Sequence, residues 1–438
     1  MDIKKLKINL DILSKYLFVL SICVLIFGYG FVSSRNKLFP YYILDRAISQ
    51  LETLKIKSVP HYLGFIRYNK SGVTIHNNAR IMPGVTLITS FWSETDWTAG
   101  IRLIDLEGNI LHHWEVKAKE IWPESPHNDL TKNAKNTNEN FVHGTHLYPN
   151  GDIIFNIEYM GLVRMNSAGE VLWKLPYRTH HSVFHDEDGN LWVSGQKWVE
   201  SGNNRTEKFS MLEVPYTEET MLNVSPDGKI LQEISILESI YKGNYQHLLK
   251  HYHSLTEDLL HLNDIEVLSS KLAPQFPMFK SGDIVVSLKN ISSIVVLDQS
   301  GNIKWFCSGI FTEQHDPDFE QNGWITVFDN RRGLGGRSMI RTINPVNNEV
   351  KTLYPTNQDQ AFYTSLGGKH QKLNNGNRLI TETFASRIFE VTPEGETVWE
   401  WVQQPFDETY VPKVHEGTRY SIEEIEIDKW KKAHSNLD

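Results

Sequence analysis

The sequence predicts an all-β chain: a six-bladed β-propeller preceded by one N-terminal transmembrane helix and a short helical stalk. Three observations predict it. Two short strand patterns alternate six times between residues 82 and 401. Tight-turn residues recur at fixed offsets inside both patterns, and one uncharged apolar run lies near the N-terminus.

The apolar run comes first. "YLFVLSICVLIFGYGFV" extends from Tyr16 to Val32 without a charge, close to the shortest helix that spans a bilayer. Lys4, Lys5, Lys7 and Lys15 precede it, and Arg35 and Lys37 follow. This bias favours an N-terminus in the cytoplasm and a body outside it, on the periplasmic or extracellular side of the cytoplasmic membrane. A cleaved signal peptide is the competing reading. The run is longer than a usual signal core, and no A-x-A site follows "GYGFVSS", so an uncleaved single-pass anchor over residues 1–37 is expected. Residues 38–58 have helical spacing, which predicts a stalk or linker over 38–71.

The repeat follows. Its first pattern is a turn and an alternating apolar strand, as in "MPGVTLITS" (82–90), "PNGDIIFNI" (149–157), "EDGNLWVSG" (187–195), "KSGDIVVSL" (280–288), "QNGWITVFD" (321–329) and "NNGNRLITE" (374–382). Its second is a strand, a turn and a strand, as in "IRLIDLEGNILHHW" (101–114) or "RIFEVTPEGETVWEW" (387–401). Asn-Gly, Asp-Gly and Glu-Gly pairs suit hairpins, whose tight loops need the positive φ that Gly and Asn accept cheaply. One copy of each pattern makes a four-stranded meander with the length of a propeller blade. Six copies suggest six blades over 72–407, with a tail over 408–438. A two-sheet sandwich is the alternative, but it does not call for paired hairpins at this period. A stretch rich in helix formers, about 236–260, reads as an insertion between blades three and four. Trp173, Trp305 and Trp399 recur as blade packing.

Composition narrows the function. The body is globular, with 40% apolar and 22% charged residues; a net charge of −9 without a basic stretch argues against nucleic acid. Of the two cysteines only Cys307 lies outside the apolar run, so no disulfide is available to the propeller. No G-x-S-x-G elbow, P-loop or dinucleotide glycine fingerprint is found.

Histidines carry the remaining signal. The innermost strand of a blade faces the central channel, and the position ahead of the first pattern holds His146, His181, His261, His315 and His370. Their distances to the turn glycine are 5, 8, 21, 8 and 6 residues. Singly, each suits a structural strand-start residue. Together, on a propeller, they predict imidazoles converging on one channel. Such a ring can bind a metal, act as a nucleophile and acid–base set, or line a binding channel. The corresponding readings are a metal-dependent oxygenase, a transferase or ester hydrolase, and a non-catalytic interaction platform.

"QHDPDF…GWITVFDN", followed by "GGKHQKLNNGNRLITETFASRIFEVTPEGETVWEW", resembles the aryl-sulfate sulfotransferase family of bacterial propeller enzymes. "HGTHLYPNGDIIF" and "HLNDIEVL" fit its earlier blades, and the resemblance covers about residues 72–403. It implies a six-bladed propeller of a shorter, membrane-anchored branch. It also implies ping-pong transfer of a sulfuryl group from an aryl sulfate donor to a phenolic or other hydroxyl acceptor, through a sulfohistidine and without the nucleotide donor PAPS. No cofactor is expected from it, and a metal is left open. By position, His370 is the implied nucleophile, and His261 and His315 are its partners, the order of roles between His315 and His370 being open. Arg331 or Arg332 clamps the sulfuryl oxygens. His146, His181, Asn330 and Asp316 contact substrate, and Asn330 and Asp329 either orient the arginine or form a bulge. The longer members' N-terminal sandwich and disulfide have no counterpart here.

This chemistry is physically sensible. A neutral imidazole is a good nucleophile and, once sulfurylated, a good leaving group. Cationic side chains stabilise the charge spread over the sulfuryl oxygens. A departing phenolate gains from a proton donor such as His261 or His315.

Overall fold

The computed structural model describes residues 10–36, 38, 39, 44, 59–127, 140–200, 209, 212, 214–249, 258–332 and 336–427. They divide into two units, Met1–Pro60 and His61–Asp438.

The first unit contains a helix over Leu10–Asn36. Its stretch Ile12–Ser34 has a mean hydropathy of 2.2 and is long and apolar enough to cross a membrane, a property shared with signal sequences. At 1.5 Å per residue the helix reaches about 40 Å, more than a hydrocarbon core needs. Most of the expected stalk lies outside the described residues. Its last part departs from helix: Leu63–Phe65 is a strand pairing with Tyr410–Pro412.

The second unit is a six-bladed β-propeller. Each blade is an antiparallel sheet of four strands, in chain order in blades two to six, with a fifth strand added to the sixth blade. The turns work as their sequences require: Gly151 takes φ +85° and Gly376 φ +90°, which a side chain would strain. Strand alternation then builds the core between blades. In Ile284–Leu288, Ile284, Val286 and Leu288 pack toward Trp192 and Met221 of blade three. Val285 faces the other way, into a cluster with Phe319, Ile325 and Val327 of blade five. Trp399 is fully buried, its indole N–H donating to the Leu106 carbonyl at 2.9 Å.

Closure corrects the expected boundary at 407. Glu416–Tyr420, within the segment expected to trail behind the propeller, pairs with Val85–Trp92 and is the inner strand of blade one. At the other end, Gly72–His76 pairs with Thr397–Val402 on the outside of blade six. The two chain ends thus cover sheet edges that would otherwise be free to pair with other chains. The insertion after blade three contains the helix Ile236–Lys242, started by Ser235 Oγ, which accepts from the Glu238 N–H. Residues 250–257 of that insertion lie outside the described residues.

Candidate active site

Blades two to five carry an irregularity near the start of the inner strand. The register shifts between His143 and Thr145, His180 and Val183, Leu262 and Asp264, and His315 and Asp318. An inserted residue bends the strand and re-aims its neighbours. Gly144 (φ +51°), His181 (φ +43°) and Asp316 (φ +53°) sit in these bulges, and His261 (φ +55°) stands just ahead of one. Left-handed backbone at non-glycine residues is strained and concentrates at functional sites.

The inner strands surround a central cavity of about 470 Å³. Imidazoles follow one another along its wall: His415 to His143 at 4.4 Å, His143 to His181 at 4.8 Å, and His181 to His261 at 4.7 Å between ring centroids. His315 and His370 line the same cavity, as do Phe141, Phe184 and Phe384 and the cations Lys289, Lys369 and Lys413. Burial is the main force on these groups. It pushes His143 and His315 down to about 3 and His181, His370 and His415 well below their ordinary value, so all five rings are neutral near pH 7. It also draws Lys413 down to about 8 and raises Glu158 to about 7. Glu158 stands 3.9 Å from His143 and 3.7 Å from His181.

Hydrogen bonds assign one tautomer. Asn330 spends its amide protons on the carbonyls of Thr364 (3.0 Å) and Gly367 (2.6 Å), so its Oδ1 is an acceptor. His315 Nδ1 lies 2.7 Å from that oxygen and 3.2 Å from the Glu313 carbonyl. Two acceptors facing Nδ1 place the proton there and leave the lone pair on Nε2. His261 Nδ1 is 2.5 Å from Asp258 Oδ2 by the same logic. Behind the wall, His180 Nε2 is 3.0 Å from Glu219 Oε2, and its Nδ1 is 3.0 Å from His181 Nδ1.

The opposite end of the cavity is acidic, with Asp264, Glu266, Asp316 and Asp318 in its lining. Burial raises all four carboxyls, reinforced by repulsion from Glu416 at Asp264 and from one another at the other three. A second cavity of about 450 Å³ shares Glu266 and Asp318, so these carboxylates stand between the two spaces. His370 belongs to this end. Its Nδ1 is 3.2 Å from Asp318 Oδ2 and 3.0 Å from Arg378 Nη1, and its backbone N–H donates to Asp316 Oδ2 at 2.5 Å. Asp316, Asp318 and His370 each bring a possible ligand atom within 4.8 Å of the others, a spacing a metal ion can bridge; the Arg378 cation already stands at the imidazole.

His181, His261, His315 and His370, four of the five histidines that the strand pattern brings together, therefore share one cavity, and Asp316 lines it too. His146 is not in its lining: it stacks on His185 at 4.4 Å, and His143, just ahead of the bulge at Gly144, occupies the wall. Asn330 holds a histidine from behind rather than lining the space. Neither arginine after it reaches the cavity. Arg331 points to Met339 Sδ at 3.3 Å, and the exposed Arg332 pairs with Glu313 at 3.2 Å. Lysines supply the positive charge instead. Sequence reasoning missed His143, His415 and Lys289. A search for a sixth inner strand after the last blade would have found His415, in "VPKVHEGTRY", and the glycine after His143 marks a bulge.

Comparisons with known proteins follow from this geometry. A family model described as Arylsulfotransferase (ASST) matches residues 141–404, more than half of the chain. No curated protein matches. Among solved structures, a protein of unknown function from Bacteroides caccae is 14% identical, with 73% of this chain and 94% of that one covered and a TM-score of 0.46. Selenomethionine-substituted virginiamycin B lyase from Staphylococcus aureus is 13% identical, covering 78% of this chain and 88% of that one with a TM-score of 0.41.

Proposed function

The chain belongs to the arylsulfotransferase family, and on that premise we propose that it moves a sulfuryl group from an aryl sulfate to a phenolic or other hydroxyl acceptor, in two steps through a sulfohistidine at His315. The observation that carries this reading is the His315 tautomer. Asn330 and the Glu313 carbonyl hold the proton on Nδ1, so a neutral ring offers its Nε2 lone pair in a cavity lined by phenylalanines.

In the first step Nε2 attacks sulfur, the S–O bond to the aryl group breaks, and the phenolate leaves with a proton. In the second, the acceptor hydroxyl oxygen attacks sulfur, the N–S bond breaks, and the acceptor gives up its proton. Lys289 and Lys413, both in the lining, face the charge on the sulfuryl oxygens. Asp258 accepts a hydrogen bond from His261 Nδ1, which leaves the lone pair of that ring on Nε2.

His370, the nucleophile implied by family resemblance, fits less well. Its Nδ1 is occupied by Arg378 and Asp318, and the carboxyl groups of Asp316 and Asp318 take up the space beside it. The same reading places the propeller outside the cytoplasmic membrane, supported by the lysines ahead of the apolar helix.

The test uses the full chain in detergent with a chromogenic aryl sulfate and no acceptor. A stoichiometric SO₃ adduct, absent in His315→Ala, retained in His370→Ala and discharged by a phenol, is expected. Loss of the adduct in His370→Ala alone would return the role to that residue. Absence of any adduct in the folded, unmodified chain would remove the ping-pong route.

A further inference from the structure

The two half-reactions leave a proton unassigned: the departing phenolate must gain one, and the incoming hydroxyl must lose one. His315 cannot carry it while bonded to sulfur. A candidate carrier lies in blade three, in groups that the nucleophile does not touch.

His180 and His181 are consecutive and face different ways, as neighbours along a strand do, with His181 itself in the bulge of Thr179–His185. His180 is 2% exposed and pairs with Glu219, on strand Tyr216–Val224, which is 1% exposed. His181 lines the cavity. The hydrogen bonds order this chain. A carboxylate at Glu219 accepts the His180 Nε2 proton at 3.0 Å. His180 Nδ1 is then an acceptor for the His181 Nδ1 proton, also at 3.0 Å. The second imidazole is left with a lone pair on Nε2. The His180 backbone is pinned, its carbonyl accepting from Asn156 Nδ2 at 3.0 Å and from Ser194 Oγ.

We propose that Glu219, His180 and His181 form a proton relay for sulfuryl transfer, with His181 Nε2 exchanging the proton with the phenolic oxygens and the positive charge held on His180 beside Glu219. The inference rests on the two-step reading above. Its balance is simple. When His181 Nε2 takes the acceptor proton, its Nδ1 proton passes to His180 Nδ1, and an imidazolium–carboxylate pair forms behind the wall. The unsulfurylated protein therefore starts with this pair charged: in the first half-reaction the proton returns through His181 Nε2 and leaves with the phenol, and the acceptor replaces it in the second. The relay explains how a ring whose own charged form is strongly disfavoured by burial can still serve as a base: the charge does not stay on it. The groups facing the relay are Glu158, His143, His261, His315, Asp258, Lys289 and Tyr159, with Arg178 over the Tyr159 ring.

Phenols of different acidity test this, because an acceptor already ionised at the assay pH needs no base and a donor with a very acidic phenol needs no acid. In the full chain, Glu219→Gln keeps an acceptor for His180 but removes the charge. Discharge of the sulfurylated protein by an unionised phenol is expected to slow about 10²-fold, with discharge by an ionised polyhalogenated phenol changed less than about twofold. His180→Gln is expected to show the same selectivity, and Glu219→Asp to restore part of the lost rate. Adduct formation from a donor with an acidic phenol reports intact sites in each preparation. Equal slowing with both phenols, or no slowing, with adduct formation intact, would overturn the relay and leave the sulfohistidine standing. No adduct in the unmodified chain would overturn both.

Discussion

Asn330 Oδ1 lies 2.7 Å from His315 Nδ1, and Asn330 has no freedom to face otherwise because its amide protons are held by the carbonyls of Thr364 and Gly367. A fully buried side chain on blade five thus ties the connection into blade six to the tautomer of a cavity-lining ring. Asn330→Ala should lower the rate of adduct formation roughly 10²-fold through misorientation of the nucleophile. It should also cost stability, since two carbonyls lose their donor at about 1–3 kcal/mol each. Single-turnover kinetics beside urea unfolding separate the two effects. An unchanged adduct rate would mean that the tautomer is set by Glu313 alone.

Charge supply gives a second prediction. Arg331 and Arg332 point away from the cavity, whereas Lys289 lines it. Replacing either arginine by Ala should leave sulfuryl transfer within about twofold, as for most substitutions outside a site. Lys289→Met should lower it roughly 10²-fold, the scale for losing one charge-stabilising group. Steady-state rates of the three variants decide, and a large loss in Arg331→Ala would restore the clamp inferred from resemblance.

Glu158 makes stability depend on pH. Burial holds its carboxyl at about 7 against an ordinary 4.5. Below pH 4.5 both folded and unfolded chains carry the proton; from 4.5 to 7 only the unfolded chain releases it. The Glu158 contribution therefore falls across that window and stays low above it, by roughly 3 kcal/mol at most. Glu158→Gln should gain on the parent chain as pH rises from 5 to 8, measured as the difference in urea midpoints. A pH-independent difference would place the carboxyl in its ordinary range.

The closing strand offers a fourth test. Arg419, 2% exposed, donates to Thr86 Oγ1 at 2.8 Å, the Met82 carbonyl at 2.7 Å and Glu390 at 3.2 Å, joining blade one to blade six. Arg419→Ala leaves the fully buried Glu390 without its cation and should destabilise the propeller by about 3–5 kcal/mol. Denaturant unfolding measures it, and a loss below about 1 kcal/mol would show that the Met82 and Asn377 donors suffice for Glu390.

What was readable along the chain was everything governed by local order. Turn glycines, alternating strands and an unbroken apolar run specify hairpins, their number and a membrane-length helix, because each depends on residues a few positions apart. The convergence of His181, His261, His315 and His370 followed from that repeat.

The rest depended on interruptions and on distance. Bulges of one or two residues break the alternation of the inner strands, so spacing alone does not say that His143 rather than His146 lines the wall or that His181 does so from within a bulge. Blade one found its inner strand at Glu416–Tyr420, more than three hundred residues from its partner, a pairing no local pattern announces. By itself the sequence determined six blades and a histidine-rich axis. Only the tertiary structure decided which rings line the cavity, which lysines stand among them and how His315 and His180 are hydrogen-bonded, since these are set by neighbours brought together from different segments of the chain.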